Sequence, residues 1–334
     1  MPVPPVPKEN DFITNMKLWA GYMSSFLSRT PRENYGWLGH IYYDIQACAY
    51  KLRSHLNSTT LYERLIQQGH DGYVNDYVLP NYGAIPGFRV FSEGSCLDVI
   101  NKTRRERASL LSMLLILQNN NYHVSDPDIS NPAFSRECAY ALMTFINVER
   151  TQRIALSPAQ QARRDLLLTS SLSIVQKWKD NQAEYFRPFM GALTARALIM
   201  YHTHIQKDPR ILPAIKTIAA LCQPLFKEQD GPWGQGKSFF YTDRVTGSDP
   251  EDSKTQPDLN LLICPLFGWL YFQTKETQYR DLGCKAFEGG VSVYDQYGHH
   301  SYGAFLGTRS SINPSGKQYC QQLFWGLDFL AWAK

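Results

Sequence analysis

Cysteine pairs, long hydrophobic runs, charge of one sign and nucleotide-cradling glycine motifs are all missing from this 334-residue chain, and each absence removes a class of function. The seven cysteines, Cys48, Cys96, Cys138, Cys222, Cys264, Cys284 and Cys320, stand singly and far apart. An odd number of isolated thiols, mostly inside apolar segments, frames neither a disulfide scaffold nor a zinc knuckle and points to a reducing compartment. No apolar run approaches the roughly eighteen residues of a membrane-crossing helix, and no basic-then-apolar leader opens the chain. Free cysteines therefore favour the cytoplasm, unless a signal segment preceded Met1, and no membrane partner is expected. Charges nearly balance, with 34 Lys and Arg against 30 Asp and Glu, and the one basic run spans Lys102 to Arg107. That run reads as the solvated start of an outer helix, which leaves nucleic acid without support.

Catalytic signatures are also scarce. There is no GxGxxG, P-loop, GxSxG or HExxH, and no aspartate-rich metal motif, so nucleotide, serine-hydrolase, zincin and prenyl chemistries have nothing to stand on. His202 and His204 lie two apart on a helical stretch and so point to different faces, and GSDPEDSKT resembles a calcium loop only loosely. Neither a metal nor a cofactor is expected.

What the chain has is apolar helical material, at 43% apolar and 19% charged, with 20 Tyr, 17 Phe and 7 Trp. The stretch from Tyr185 to Phe226 is organised as one helix, a short turn and a second helix. From Phe186 to Tyr201 apolar residues cover every face, and only Arg187, Thr194 and Arg196 are strongly polar. A helix that is apolar all round is buried. Asp208-Pro209 then supplies an N-cap with proline at the first helical position, and the helix that follows carries lysines on one side, so it lies outside.

The same inner-then-outer unit recurs. Marker positions near the start of each inner segment, Trp37, Gly94, Glu137, Arg187, Asp258 and Gln318, are separated by 57, 43, 50, 71 and 60 residues. Each step is one helical hairpin plus a variable loop. Six inner helices with five outer partners, and the N-terminal helix as the sixth outer one, predict an all-α (α/α)6 toroid of about twelve helices in six inner/outer hairpins. Residues 1–10 read as an extended proline-rich arm and residues 11–334 as one toroid domain, an open helical solenoid being the competing architecture.

On FMGALTARALIMYHTHIQKDPRILPAIK and DLNLLICPLFGWLYFQTKETQYRDLG, where a buried helix is followed by a short link and a second start, the chain resembles the alpha-toroid proteins of polysaccharide lyases and glycoside hydrolases. The resemblance covers nearly the whole chain at the level of architecture, and no catalytic motif matches a named family. It implies a poly- or oligosaccharide partner and nothing about individual residues.

Loop lengths point to a functional face independently. Links from inner to outer helices are short, whereas the long loops at 79–94, 119–131, 228–256 and 288–315 all precede inner helices. They gather over the inner-helix N-termini, whose free N–H groups suit a hydroxyl-rich or anionic ligand. Candidate carboxylates there are Glu93, Glu137 and Asp258, with Asp44 deeper in. Hydrolysis needs one protonated and one ionised carboxyl, for which Glu137 and Asp258 are the pair. Elimination needs a cation and a proton acceptor, for which His40 and Tyr35, with Arg89, Arg187 or Lys317 opposite, form the alternative. Tyr82, His299, His300, Tyr302 and Gln318 complete the polar lining, and Trp37, Trp233 and Tyr241 are the aromatic platforms. For any one of these residues a cap, a packed ring or a surface contact is an equally simple role. At the level of the whole protein, a polysaccharide-cleaving enzyme and a non-catalytic toroid binding a glycan or protein in a phage or cell-surface assembly both remain open.

Overall fold

The computed structural model describes residues 3–29, 44–56, 60–72, 75, 92–102, 108–119, 128–228, 237–244, 254–291 and 316–334. Among the described residues the protein is all-α. The helices are α1 (Glu9–Arg29), α2 (Ile45–Leu56), α3 (Thr60–Gly69), α4 (Glu93–Lys102), α5 (Ala108–Asn119), α6 (Ser135–Arg150), α7 (Pro158–Lys179), α8 (Pro188–His204), α9 (Ile211–Cys222), α10 (Asn260–Thr274), α11 (Thr277–Val291) and α12 (Gly316–Trp332). One two-residue antiparallel pair, β1 (Phe226–Lys227) and β2 (Ser238–Phe239), sets Phe226 opposite Phe239.

Two kinds of helix alternate. In α6, α8 and α10 every residue from Glu137 to Val148, from Met190 to Tyr201 and from Asn260 to Tyr271 is buried, the pattern of a helix walled in on all sides. The helices that follow them bury a stripe. In α9 that stripe is Ile211, Ile215, Ile218, Ala219 and Cys222, at helical spacing on one face. α7 begins with a capping box, in which Ser157 Oγ accepts from the Gln160 N–H and the Gln160 side chain accepts from the Ser157 N–H.

Contacts run from one buried helix to the next: α2 with α4, α4 with α6, α6 with α8, α8 with α10, α10 with α12, and α12 back to α2. α3, α7, α9 and α11 lie against the buried helices they follow, and α5 lies against α4 and α6. α1 touches α3, and its Phe12 ring meets Phe287 of α11 at 5.1 Å. Phe12 fills the space over Gly326 of α12, where a Cβ would lie 2.8 Å from its Cζ. The arm at 3–8 is tied to the chain's other end, since Arg280 donates to the carbonyls of both Pro4 and Ala333.

One helix start differs from the sequence expectation. Asp208 accepts from the Arg210 N–H at 2.9 Å and caps a turn rather than the helix itself, so α9 begins at Ile211. Asn131 caps the 3-10 turn Pro132–Phe134, which runs straight into α6.

The joint between α2 and α4 is made by Asp44, which has a left-handed φ of 56°. Its carboxylate accepts from Ala47 N, capping α2, and from Gly94 N at 2.9 Å. Glycine is required opposite, because a Cβ on residue 94 would sit 2.3 Å from Asp44 Oδ1. Similarly, a Cβ on Gly289 would sit 1.8 Å from the Lys237 carbonyl, the one that Asn260 of α10 also binds.

Burial raises the Asp44 pKa to about 6 from 3.8, with the neighbouring Glu93 charge adding to it, against hydrogen bonds from the backbone of Gly94, Ala47 and Glu93. The folded state therefore holds this proton more tightly than the unfolded chain does. The stability it contributes is complete below about pH 4 and is lost as pH rises to about 6. Asp44→Asn abolishes that titration, so between pH 4 and pH 7 the unfolding free energies of wild type and variant should converge or cross by on the order of 3 kcal/mol, in the variant's favour at the higher pH. Denaturant titrations at several pH values measure it, and a difference constant with pH would contradict it.

Candidate functional site

Between α2, α4, α6, α8, α10 and α12 lies a partly open cavity of about 140 Å³, comparable to cavities that hold a single six-membered ring. One long side of it follows α8, from Ala192 through Arg196, Ile199 and Met200 to Thr203 and His204, the last two of which are exposed. Leu262, Pro265 and Leu266 of α10 give it an apolar wall, and α12 adds the indoles of Trp325 and Trp332.

Set into these walls are five charged groups from five helices. Arg196, 8% exposed at the centre of α8, donates to Asp328 of α12 at 2.9 Å and to Glu93 of α4 at 3.3 Å. Lys51 of α2 donates to Asp328 at 2.5 Å, and Arg150 at the end of α6 lies 3.5 Å from Glu93. Arg196 also lies 4.3 Å from the Trp325 ring centroid and 4.7 Å from that of Phe324, which Lys51 covers at 4.0 Å. Cations over ring faces gain from the ring quadrupole when water is excluded.

Among the described residues the charge balance is uneven: three cations face two carboxylates. Burial alone would raise the pKa of Glu93, but Arg196, Lys51 and Arg150 outweigh it and hold the carboxyl below its usual range. Asp328 is likewise held down by Lys51 and Arg196 against its burial. Both are ionised at neutral pH, and neither is available as a proton donor. His204 at the rim is pushed the other way, to about 4, by the partial burial of its ring and then by Arg150, with Lys51 and Arg196 adding to it and Glu93 opposing. It is neutral at pH 7.

Of the residues singled out from the sequence, Glu93 lines this cavity. Glu137 is buried at the start of α6, with Oε1 accepting from Arg136 and Oε2 without a hydrogen-bond partner. Asp258 lies in the 3-10 turn Pro257–Leu259 ahead of α10, its side chain outside the described residues. Asp44 is engaged in the α2–α4 joint described above. Arg187 and Tyr241 are brought together: the guanidinium of Arg187 lies 4.4 Å from the Tyr185 ring centroid and 4.5 Å from that of Tyr241, which also stacks on Phe189. Lys317 and Gln318 open α12 with side chains outside the described residues, and Tyr35, Trp37, His40, Tyr82, Arg89, Trp233, His299, His300 and Tyr302 lie outside them altogether. Among the described residues no cluster of three or more His, Cys, Asp or Glu could hold a metal ion, and no helix is long and apolar enough to cross a membrane.

Sequence reasoning missed Lys51, Arg150, Arg196, Asp328, Trp325 and Trp332 as a set. The signal that could have found part of it is a lone charge inside a helix apolar on every face, as Arg196 is in α8. Such a charge must meet its counter-ion inside the protein.

Arg196→Met would leave Glu93 and Asp328 with a partner removed from between them. The expected loss is on the order of 3–5 kcal/mol of unfolding free energy, read as a shifted denaturant midpoint, and a midpoint equal to wild type would contradict the assignment. No protein-family model matches this chain, and no curated protein matches it.

Proposed function

We propose that this chain is a carbohydrate-active (α/α)6 toroid that cleaves an acidic polysaccharide in the cavity between its buried helices. The cyclic series of contacts among α2, α4, α6, α8, α10 and α12, with stripe-burying helices outside them, supports the toroid. The observation that carries the function is a ring-sized cavity combining two indoles with an excess of cations. Indole faces suit the C–H faces of a sugar ring, and fixed guanidinium groups suit its carboxylate. Within this reading β-elimination fits better than hydrolysis. A hydrolase requires one carboxyl that stays protonated, whereas Glu93 and Asp328 are both held ionised. Elimination requires positive charge beside the uronate carboxylate, so that the C5 proton can leave to a base while the C4–O bond breaks, the departing oxygen takes a proton from water and the C4–C5 double bond forms.

A second reading, binding without turnover, is favoured by a specific observation. All five charged groups of the cavity are engaged with one another, and His204 is too weakly basic, at about 4, to be an effective proton acceptor at neutral pH.

The test is to incubate the protein with neutral and uronate-containing polysaccharides while following reducing ends and the ultraviolet absorbance of unsaturated uronates. The expected result is both signals together, from uronate polymers alone. Reducing ends without the absorbance would replace elimination with hydrolysis, and retained affinity with neither signal would establish the second reading.

A further inference from the structure

Arg150 stands apart among the cavity's cations. Lys51 and Arg196 each make a contact of 2.9 Å or shorter to Asp328, whereas Arg150 has, among the described residues, only two long ones, 3.5 Å to Glu93 and 3.4 Å to its own helix through Asn147 Oδ1. A guanidinium has five N–H donors in a planar fork, so most of its donor capacity is unused, and a carboxylate is the group that matches that fork. Arg150 ends α6, beside the cavity's rim where Thr203 and His204 are exposed and Trp332 is half-buried. It is also the cation weighing most heavily on His204.

We infer that Arg150 is the anion anchor of this cavity, capturing the carboxylate of a single ring-shaped ligand that lies against Trp325 and Trp332, and that this capture is coupled to proton uptake by His204. For a sugar acid as the ligand, the inference rests on the carbohydrate reading above. The coupling follows from the surrounding charges. His204 faces Arg150 of α6, Lys51 of α2 and Arg196 of its own helix, against Glu93 of α4 and Asp328 of α12, while the α10 wall is apolar. Three positive charges against two negative ones disfavour the imidazolium. Burial, the larger cause, remains, but a bound carboxylate brings the charge balance to zero and lifts the electrostatic part of the penalty. Proton and anion therefore favour each other's binding, by reciprocity. Affinity should rise as pH falls from 7 towards 5, a window in which the ligand's own carboxyl, with a pKa of roughly 3.5, stays ionised.

The experiment is calorimetric titration of the full chain with glucuronate, glucose and cyclohexanecarboxylate at pH 7 and pH 5, in two buffers of different ionisation enthalpy. The expected result is that glucuronate binds at least tenfold more tightly than glucose and several-fold more tightly at pH 5 than at pH 7. Proton uptake at pH 5 should disappear in His204→Gln, and Arg150→Met should cost at least tenfold in affinity. Equal affinity for glucose and glucuronate, or undiminished glucuronate binding by Arg150→Met, would overturn the anchor and leave the carbohydrate reading standing. Cyclohexanecarboxylate binding as tightly as glucuronate, with the same dependence on Arg150, would uphold the anchor and overturn the carbohydrate reading. If Arg150→Met does not fold, the wild type and His204→Gln decide the matter. Affinity flat between pH 7 and pH 5, or proton uptake that survives His204→Gln, would overturn the coupling.

Discussion

The fold turns on one constraint: charges buried among mutually packed helices must find each other. Arg196 cannot leave the middle of α8, because every residue from Met190 to Tyr201 is enclosed. Its partners come from α4 and α12, and the partners of those come from α2 and α6. Dispersion and hydrophobic burial hold neighbouring helices together without caring much about register. Ion pairs in a low-dielectric interior do care, since a shift of one residue would strand a charge. The five-helix network thus acts as a registration device, at a cost in desolvation, and leaves a space with fixed charge at the centre.

Much of the helix order was legible in the sequence, for physical reasons that particular elements illustrate. α8 and α10 were recognisable because apolar residues on all faces permit no other placement than an enclosed one. The start of α7 is of the legible kind, since the capping chemistry of Ser157, Pro158 and Gln160 is local and complete within four residues. The start of α9 was misread by two residues because Asp208 and Pro209 carry the same local signal whether they cap a helix or a turn before it. The closing contact of α12 with α2 includes Lys51 and Asp328, 277 positions apart, and no local pattern encodes it.

The candidate site was much less legible. Loop length drew attention to the inner-helix N-termini, whereas the cavity runs along α8 to its C-terminal end. Its lining comes from isolated positions on six helices, with Glu93 the only one singled out beforehand. A lone Lys, Arg or Asp in a helix is ordinarily a surface residue, so the meaning of Lys51, Arg150 and Asp328 exists only once the helices are assembled. Arg187 and Tyr241 illustrate the converse, since a residue chosen as a ligand's cation and one chosen for stacking are partnered with each other and with Tyr185 and Phe189. Evenly matched buried charge stabilises register, while the excess of positive charge among the described cavity residues, with Arg150 held only at 3.5 Å by Glu93, supports an anion from outside.

The most direct test of that account is a crystal structure of the protein with a saturating acidic oligosaccharide. The account requires one uronate ring in the cavity, its carboxylate on Arg150 and its face towards Trp325 or Trp332. Saccharide bound only over the inner-helix N-termini, with the cavity holding nothing but water, would contradict it.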